Sequence, residues 1–399
     1  MLTLDKVYLA GAELRSVVRK TDLIRADALS RNCEVFLKTE NLQKTGSFKV
    51  RGAYYKMSNM TQEERERGVV ACSAGNHAQG VALAAQKFGI RSVIFLPNGA
   101  PISKIEATRA LGAEIMLVDG VYDDAYEAAI QYCADNHMVF LHPFDDVDVI
   151  AGQSTVALEV LEQLPDLEAI VVPIGGGGLI AGIAFAIKAM RPSCKVYGVQ
   201  AAGADSMKRS FDDKCHYFAE TVSTFADGIA VKNPGDLTYD ICMDYVDEIV
   251  TVTEDQTATA ILTLMERQKL VAEGAGAVAV AAIMFNKLPI AGKKVCAVIS
   301  GGNIDVNILS RVINRGLVTS GRLTNLTIEL IDKPGQLKNV SALIADQGAN
   351  VISVQYTPGG PNMDINGCYL HISMETRNHA HLEQIRKAIN DSGLCIRDL

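Results

Sequence analysis

Short runs of β-branched and other apolar residues alternate with longer segments of helical period along most of the chain. Such alternation favours βαβ units, in which helices cover both faces of a mainly parallel sheet. The predicted strands are Val69 to Cys72, Ser92 to Leu96, Glu114 to Val118, Ala169 to Pro173, Lys195 to Gln200, Glu248 to Val252 and Lys294 to Ile299. The predicted helices are Asn76 to Phe88, Ile102 to Leu111, Tyr122 to Asn136, Ile150 to Leu164, Leu179 to Met190 and Glu254 to Gln268. Because one open sheet rarely holds so many strands, we expect two α/β lobes with a cleft between them, the smaller spanning roughly residues 45 to 145.

The pattern changes after Gly316, where strands and helices follow in the order β-α-β-β-α-β. The predicted segments are the strand Leu323 to Ile331, the helix Gly335 to Gln347, the strands Asn350 to Thr357 and Cys368 to Glu375, the helix His379 to Asn390 and a short strand near Leu394. This order predicts a small ferredoxin-like module. We therefore expect two domains, residues 1–320 and 323–399, joined by a short linker within Gly316 to Gly321, and a mobile glycine-rich loop within Pro358 to Gly367.

Composition narrows the functional classes. The chain has 399 residues, of which 48% are hydrophobic and 21% charged, and its formal net charge is −8. This composition excludes disordered and fibrous proteins, and the scattered basic residues give no footprint for nucleic acid or an anionic membrane. The expected partners are small molecules and other subunits.

Cysteine usage and the most apolar segment bear on the cellular compartment. Nine cysteines are dispersed without a C-x-x-C pair, and no basic and apolar leader precedes Asp5. We therefore expect a reducing, cytoplasmic environment and no disulfide framework. The stretch Ala169 to Ile187 carries no charge, but Pro173 and the glycines Gly175 to Gly178 within it favour a buried strand, loop and helix over a membrane span.

The first run with candidate chemistry is T-G-S-F-K-V-R-G-A, Thr45 to Ala53. A lysine near a helix start is usually exposed. Apolar neighbours, here Phe48 and Val50, are also compatible with a desolvated Lys49 whose lowered pKa lets it attack carbonyl groups. The run alone leaves both interpretations open.

The second run is S-A-G-N-H-A-Q-G, Ser73 to Gly80, which follows a predicted strand and opens a predicted helix. Ser73, Asn76 and the amides around Gly75 are placed to bind an anion such as a substrate carboxylate. The alternative is that Ser73 is an ordinary N-cap and that His77 is a core or surface residue.

The third run comprises the consecutive glycines Gly175 to Gly178 and Leu179, again between a strand and a helix. Its amides can surround a phosphate dianion. Gly176, Gly178 and Ala181 also satisfy the dinucleotide pattern G-x-G-x-x-A, but the next predicted strand ends in Gln200, where that pattern requires an acidic residue.

The fourth run is S-G-G-N, Ser300 to Asn303, at the carboxyl end of a predicted strand, where sites in parallel sheets collect. Together the four runs resemble the pyridoxal-phosphate enzymes of the tryptophan synthase β-subunit fold (fold type II), and among them the threonine dehydratases, also called threonine ammonia-lyases. The resemblance covers roughly residues 5 to 320. It implies a two-lobed α/β catalytic domain that binds pyridoxal 5'-phosphate.

The resemblance also implies residue roles. Lys49 forms the covalent imine with the cofactor, and Phe48 packs beside the cofactor ring. Asn76 bonds the ring hydroxyl, Ser300 faces the ring nitrogen, and Gly228 of the A-D-G run supplies backbone near the ring. The glycine loop with Leu179 holds the phosphate. The substrate carboxylate is expected to be bound around Ser73, Ala74, Gly75, Asn76 and His77.

The implied reaction is β-elimination and deamination of L-threonine to 2-oxobutanoate and ammonia, and of L-serine to pyruvate. Related serine racemases carry a serine at the position of Ala74, so weak racemisation is expected here. Several relatives bind a divalent cation through acidic residues where this chain has Gln200 and Ser206, so no metal site is expected. The alternatives are a serine racemase, a β-replacement enzyme of the same fold, or a catalytically silent amino-acid sensor.

The C-terminal module, with its D-K-P-G turn, resembles a single ACT domain. We expect it to bind an amino-acid effector, isoleucine or valine, near Asp332, Gly335 and Asn350, where a helix N-terminus would lie opposite the start of a strand. The alternative is a dimerisation module that binds nothing. Pairing of such modules favours a homo-oligomer with an even number of subunits, a dimer or tetramer.

Overall fold

The computed structural model describes residues 1–358 and 365–397. Its helices, numbered in chain order, are α1 Leu4–Leu14, α2 Lys49–Ser58, α3 Gln62–Arg67, α4 Asn76–Phe88, α5 Ile102–Arg109, α6 Tyr122–Asp135, α7 Val147–Gln163, α8 Gly178–Met190, α9 Ser206–Asp213, α10 Asp236–Tyr245, α11 Glu254–Thr263, α12 Gly274–Met284, α13 Val306–Thr319, α14 Gln336–Asp346 and α15 His379–Asp391. Its strands are β1 Leu23–Arg25, β2 Glu34–Lys38, β3 Val69–Cys72, β4 Ser92–Pro97, β5 Glu114–Val118, β6 Val139–Phe140, β7 Ala169–Pro173, β8 Lys195–Ala201, β9 Glu248–Val252, β10 Lys294–Val298, β11 Leu323–Ile331, β12 Asn350–Pro358, β13 Gly367–Glu375 and β14 Cys395–Arg397.

The described chain forms two compact units, Met1–Leu309 and Ser310–Leu399. The first unit holds a six-stranded sheet in the order β1-β2-β10-β7-β8-β9 and a four-stranded sheet in the order β5-β4-β3-β6. All neighbouring strands in these sheets are parallel except β1 and β2. The predicted pair of mainly parallel α/β lobes is therefore confirmed.

The uncharged stretch Ala169 to Ile187 folds as predicted into strand, loop and helix. Every residue of β7 is buried between β10 and β8, and α8 follows directly after the glycine run. Within the part of the chain that the structure describes, no helix is both long enough and apolar enough to cross a membrane.

Two glycines bring α2 close to α7. A Cβ atom added to Gly152 would lie 2.6 Å from the Gly52 Cα atom and 2.5 Å from the Arg51 carbonyl oxygen. Only glycine leaves room for this approach. It fixes the position of α2, the helix that begins at Lys49, against the core of the six-stranded sheet.

A buried group of charges also anchors α2. The Arg51 guanidinium is fully buried and donates to both carboxylate oxygens of Glu40 at 2.8 Å. It also donates to both oxygens of Glu159 at 2.7 and 3.0 Å, and Glu159 accepts a further hydrogen bond from Lys38 at 2.6 Å. Two cations and two anions thus offset each other's charge inside the protein, as buried ionic groups require.

The second unit confirms the predicted β-α-β-β-α-β order. Its antiparallel sheet has the order β12-β13-β11-β14, and apolar residues from the sheet, α14 and α15 form its core. The expected linker starts later than predicted, because α13 continues through Gly316 to Thr319. A glycine inside a helix costs only about 1 kcal/mol, which the remaining helical residues can offset. The expected glycine-rich loop falls largely on residues 359–364, outside the described residues.

Candidate active site

Lys49 is the first residue of α2 and follows a tight turn in which Thr45 and Gly46 both adopt positive φ angles, 66° and 71°. Its Nζ atom donates to the Pro143 carbonyl oxygen at 2.8 Å and lies 5.4 Å from the centre of the Phe48 ring. The residue is half-buried, and burial of its amino end lowers the pKa to about 8 although the charge of Glu273 opposes this shift. A neutral amine is therefore accessible near neutral pH, which both carbonyl attack and proton abstraction require.

The run around Ser300 lies directly against the lysine run. Ser47 and Gly301 form an antiparallel bridge, and the Phe48 amide donates to the Ser300 carbonyl oxygen at 3.2 Å. Ser300 is buried, and its hydroxyl donates to the Ala275 carbonyl oxygen at 3.3 Å. The first and fourth runs of the sequence thus form one wall of the site.

Asn76 is the first residue of α4 and contacts two further polar residues of the site. Its Oδ1 atom accepts from Asn303 Nδ2 at 2.8 Å, and its Nδ2 atom donates to Glu273 Oε1 at 2.5 Å. The N-cap of α4 is Gly75, so the alternative of Ser73 as N-cap is wrong. The Ser73 hydroxyl instead accepts from the Gly75 amide at 3.2 Å, which shapes the loop entering the helix.

His77 and Ala74 differ in environment. His77 is buried, with its Nε2 atom 3.0 Å from the Leu141 carbonyl oxygen, and burial together with the charge of Lys49 lowers its pKa to about 3. It stays neutral at physiological pH. Ala74 is half-buried and packs against the core of the four-stranded sheet.

The glycine loop lies between β7 and α8, close to Pro143, whose carbonyl oxygen accepts the hydrogen bond from Lys49. A Cβ atom on Gly176 would come within 2.4 Å of the ring of Phe144, the residue after Pro143. Gly177 has a φ of +97°. Among the described residues, the amides of Gly175, Gly176 and Gly177 have no acceptor. With the first turn of α8, which contains Leu179, they form a set of N–H donors suited to a phosphate dianion.

Gly228 lies in a short turn, Asp227–Ile229, opposite Asn76. A Cβ atom there would lie 3.0 Å from the Ala275 Cβ atom and 3.8 Å from Asn76 Nδ2. Asp227 forms an ion pair with Lys104 of α5. The turn therefore contacts the smaller lobe at Lys104 and lies close to Asn76.

Sequence reasoning missed two residues of the site. Glu273 is the single charge within the apolar stretch from Leu270 to Phe285, a signal that could have singled it out. Asn303 belongs to the fourth run, but no role was inferred for it. Its Nδ2 atom also donates to the Thr45 carbonyl oxygen at 2.7 Å, so it joins the lysine turn to Asn76.

The residues expected to form the effector site do not come together. Asp332 and Gly335 line one cavity of about 130 Å³ in the second unit. Asn350 pairs with Glu375 at the opposite end of the sheet, because α14 runs back along the sheet before β12 begins. The expectation that the helix N-terminus lies opposite the start of β12 is therefore wrong within one chain.

Gln200 and Ser206 have protein partners. Gln200 Oε1 accepts from the Lys208 amide at 2.7 Å, and the Ser206 hydroxyl donates to the Val231 carbonyl oxygen at 3.1 Å. Over residues 1–358 and 365–397, no group of three or more His, Cys, Asp or Glu side chains is arranged to hold a metal ion.

With this fold, the chain belongs to the family of pyridoxal-phosphate dependent enzymes, which its residues 14–301 match. Residues 320–392 match the ACT domain family. The fold type II catalytic domain inferred from the four runs and the ACT domain inferred from the C-terminal module are thereby confirmed, as is the predicted cofactor.

Individual proteins of known name are also similar to the chain. An L-threonine ammonia-lyase of Thermotoga maritima is 50% identical over 399 residues, covering 100% of this chain and 99% of the relative. The processed form of threonine deaminase isoform 2 from Solanum lycopersicum superposes with a TM-score of 0.74 at 36% identity, covering 78% of this chain and 93% of that one. Maize serine racemase superposes with a TM-score of 0.74 at 33% identity, covering 80% and 98%.

The donors present fit pyridoxal phosphate. Lys49 offers an amine of lowered pKa to the cofactor aldehyde, and the amides of the glycine loop suit the phosphate. Asn76 offers its second amide N–H to the polar edge of a ring. The Ser300 hydroxyl donates to the Ala275 carbonyl oxygen at 3.3 Å and would turn from that bond to donate to a ring nitrogen. A single pyridine ring with one phosphate needs no ribose-binding carboxylate at the carboxyl end of β8, where Gln200 is the penultimate residue.

Proposed function

We propose that the chain is a pyridoxal-phosphate dependent ammonia-lyase that converts L-threonine to 2-oxobutanoate and ammonia, and L-serine to pyruvate and ammonia. The observation that carries the proposal is Lys49, whose pKa is lowered to about 8 beside the glycine loop. The names and full-length similarity of the relatives support the choice of threonine. The reaction balances without net water, because the water lost in elimination is regained when the C–N bond is hydrolysed.

In this proposal, five single residues and one loop hold the cofactor. Lys49 binds it covalently, and Phe48, Asn76, Gly228 and Ser300 surround its ring. The loop from Gly175 to Leu179 binds its phosphate through backbone N–H groups. The cofactor supplies an electron-withdrawing group that acidifies the hydrogen on the substrate α-carbon.

The remaining steps belong to the protein's own residues. Once the substrate amine has taken its place, the Lys49 amine is free to accept the proton of the α-carbon. The free amides at the start of α4, with Ser73 and Gly75, bind the substrate carboxylate, and His77 behind them stays neutral. The uncharged Ser300 hydroxyl does not keep the ring nitrogen protonated, which favours prompt loss of the β-hydroxyl over a long-lived carbanion.

Serine racemase activity is the alternative to which the similarity with the maize enzyme points. Racemisation requires a proton donor on the second face of the α-carbon, and Ala74 has no proton to give. We therefore expect elimination to dominate. A silent amino-acid sensor needs no lysine of lowered pKa, so Lys49 argues against that alternative.

The assembly and regulation of the enzyme are part of the same proposal. Residues 1–320 act as the catalytic domain and residues 323–399 as a regulatory ACT domain that binds isoleucine or valine. Asp332 and Gly335 at the cavity of the second unit contribute to that site. The enzyme works in the cytoplasm as an even-numbered homo-oligomer.

The test compares Lys49→Ala with Lys44→Ala, a control that removes an exposed lysine. The holoenzyme is reduced with borohydride and digested, and the modified peptide is identified by mass spectrometry while 2-oxo acid formation is followed separately. We expect modification at Lys49 only, and a loss of turnover of about 10³-fold or more in Lys49→Ala. Cofactor bound covalently to another lysine in this variant would contradict the role of Lys49. If an amino acid other than threonine or serine proved to be the best substrate, the proposed reaction would be wrong.

A further inference from the structure

A chain of hydrogen bonds behind Asn76 fixes how its amide is oriented. Asn303 Nδ2 donates to the Thr45 carbonyl oxygen at 2.7 Å and to Asn76 Oδ1 at 2.8 Å. Asn76 Nδ2 then donates to Glu273 Oε1 at 2.5 Å. The chain joins the lysine turn, α4 and the residue that precedes α12.

The reversed orientation of the Asn76 amide is excluded by its neighbours. Because Asn303 Nδ2 is fixed by the Thr45 carbonyl oxygen, the reversed amide would place the NH₂ groups of Asn76 and Asn303 against each other at any pH. It would also place Oδ1 against the carboxylate of Glu273 whenever that group is ionised, two acceptors facing each other. The orientation therefore presents the nitrogen, not the oxygen, to the site. Glu273 accepts one of the two hydrogens on this nitrogen, and the other is left for a ligand.

The backbone around Glu273 is built to admit its carboxylate. Glu273 is only 3% exposed, and its amide donates to the Gly301 carbonyl oxygen at 3.1 Å. A Cβ atom on Gly301 would lie 2.1 Å from Glu273 Oε1 and 3.1 Å from Asn76 Nδ2. A Cβ atom on Gly228 would lie 3.6 Å from the same oxygen. The absence of a side chain at Gly301 thus leaves the space that the carboxylate uses, whereas the distance at Gly228 is an ordinary van der Waals contact.

The charges that face Glu273 come from three elements. Asp227 lies in the turn beside it, Lys104 reaches it from α5, and Lys49 lies at the start of α2. Burial, followed by Asp227, raises the pKa of Glu273 to about 7, although the hydrogen bond from Asn76 and the two lysines act in the other direction. The carboxyl group therefore changes its charge within the physiological range.

We propose that Glu273 is a positioning residue for the cofactor ring: it acts through Asn76, whose remaining N–H it directs at the ring oxygen, and it places a titratable charge behind that contact. The proposal rests on the assignment of Asn76 to the ring hydroxyl. When Glu273 is ionised, its negative charge disfavours the anionic form of the ring oxygen. When it is protonated, that anionic form is favoured, so the ring responds to pH through a group that touches neither substrate nor cofactor.

The experiment separates the hydrogen bond from the charge. Glu273→Gln keeps an acceptor oxygen without the charge, and Glu273→Leu removes both. Glu248→Gln is the matched control, because it removes one exposed carboxylate outside the site. Each holoenzyme is titrated from acid to alkaline pH while the visible and near-ultraviolet absorption of the bound cofactor is recorded, and cofactor affinity is measured by equilibrium dialysis.

We expect wild type and Glu248→Gln to show a spectral transition near neutral pH that is absent in Glu273→Gln. Glu273→Gln should bind the cofactor within about threefold of wild type, and Glu273→Leu about tenfold more weakly. An unchanged transition in Glu273→Gln, or wild-type affinity in Glu273→Leu, overturns the proposal. Asn76→Ala distinguishes the causes of failure. If it changes affinity and spectrum while the Glu273 variants do not, only the role of Glu273 is wrong; if it changes neither, the assignment of Asn76 to the cofactor is wrong as well.

Discussion

Replacing Arg51 by methionine tests how the buried charges hold α2 in place. The substitution keeps most of the side-chain volume but removes the guanidinium, which makes four hydrogen bonds to Glu40 and Glu159 and one to Thr155. Two carboxylates then share Lys38 as their remaining buried cation. Removing one partner from a buried ionic group costs about 3–5 kcal/mol, so we expect Arg51→Met to lose about that much stability.

A second substitution tests whether charge is the cause. Arg51→Met leaves the group with one net negative charge, and adding Glu40→Gln returns it to neutrality. The double variant should therefore be more stable than Arg51→Met alone, although each substitution removes hydrogen bonds. Loss of volume or general disruption of the core would instead make the double variant less stable than the single one.

The pH dependence of the free energy of unfolding tests the same explanation independently. Burial alone would raise the pKa of Glu40, but the charge and hydrogen bonds of Arg51 hold it below its ordinary value. Wild type therefore gains stability from Glu40 above its unfolded-state pKa and loses it as the pH falls. In Arg51→Met the folded-state pKa of Glu40 moves upward, so the variant loses stability as the pH rises, and the gap to wild type should narrow in acid.

The assay is urea unfolding at a fixed cofactor concentration. Release of the bound cofactor is the signal, because it reports on unfolding of the first unit. A stability difference below about 1 kcal/mol for Arg51→Met would refute the reasoning, because fully buried charges would then tolerate loss of a partner. A double variant no more stable than the single one would refute the electrostatic explanation.

Three further predictions concern the site and the second unit. Gly176→Ala should weaken cofactor binding about tenfold in equilibrium dialysis, because the new Cβ atom would overlap the Phe144 ring, and Phe144→Ala should restore part of the affinity in the double variant. Ala74→Ser should raise D-serine relative to pyruvate in chiral chromatography; substantial D-serine from wild type would contradict the role given to Ala74. Titration calorimetry of the full-length protein should show isoleucine or valine binding that Asp332→Ala weakens, and binding of no common amino acid would leave the second unit as an assembly device.

Some elements could be predicted because their signals are local. β7 and α4 begin and end at the predicted residues, since a β-branched run and an amphipathic segment with a glycine on each side carry their own boundaries. α12 was missed because all but its last residue is buried, so its sequence of Gly, Ala and Val has no polar face and no helical period. β2 was missed because its apolar run is only three residues long and is bounded by the charged residues Glu34 and Lys38. Lys38 is nevertheless buried, since it forms an ion pair with Glu159.

In the candidate site, too, local sequence signals could be recognised, whereas contacts between distant positions could not. The four runs could be recognised because each is contiguous, and three of them closely follow a strand. The contacts that Glu273 and Asn303 make with Asn76 could not be predicted, because they join positions 197 and 227 residues apart in the sequence. The lowered pKa of Lys49 likewise depends on burial by distant residues, which the run Thr45 to Ala53 alone does not reveal.

The space at Gly301 has a consequence for how this protein can diverge. A Cβ atom at 301 would lie 2.1 Å from Glu273 Oε1, the end of a flexible side chain, so the buried carboxylate would have to shift to admit it, which disturbs its hydrogen bond with Asn76. Substitutions at the two positions should therefore be coupled, and alanine or serine at 301 should be tolerated better beside a residue shorter than glutamate at 273. We expect a library randomised at both positions to be depleted in functional chains that combine glutamate at 273 with a side chain at 301.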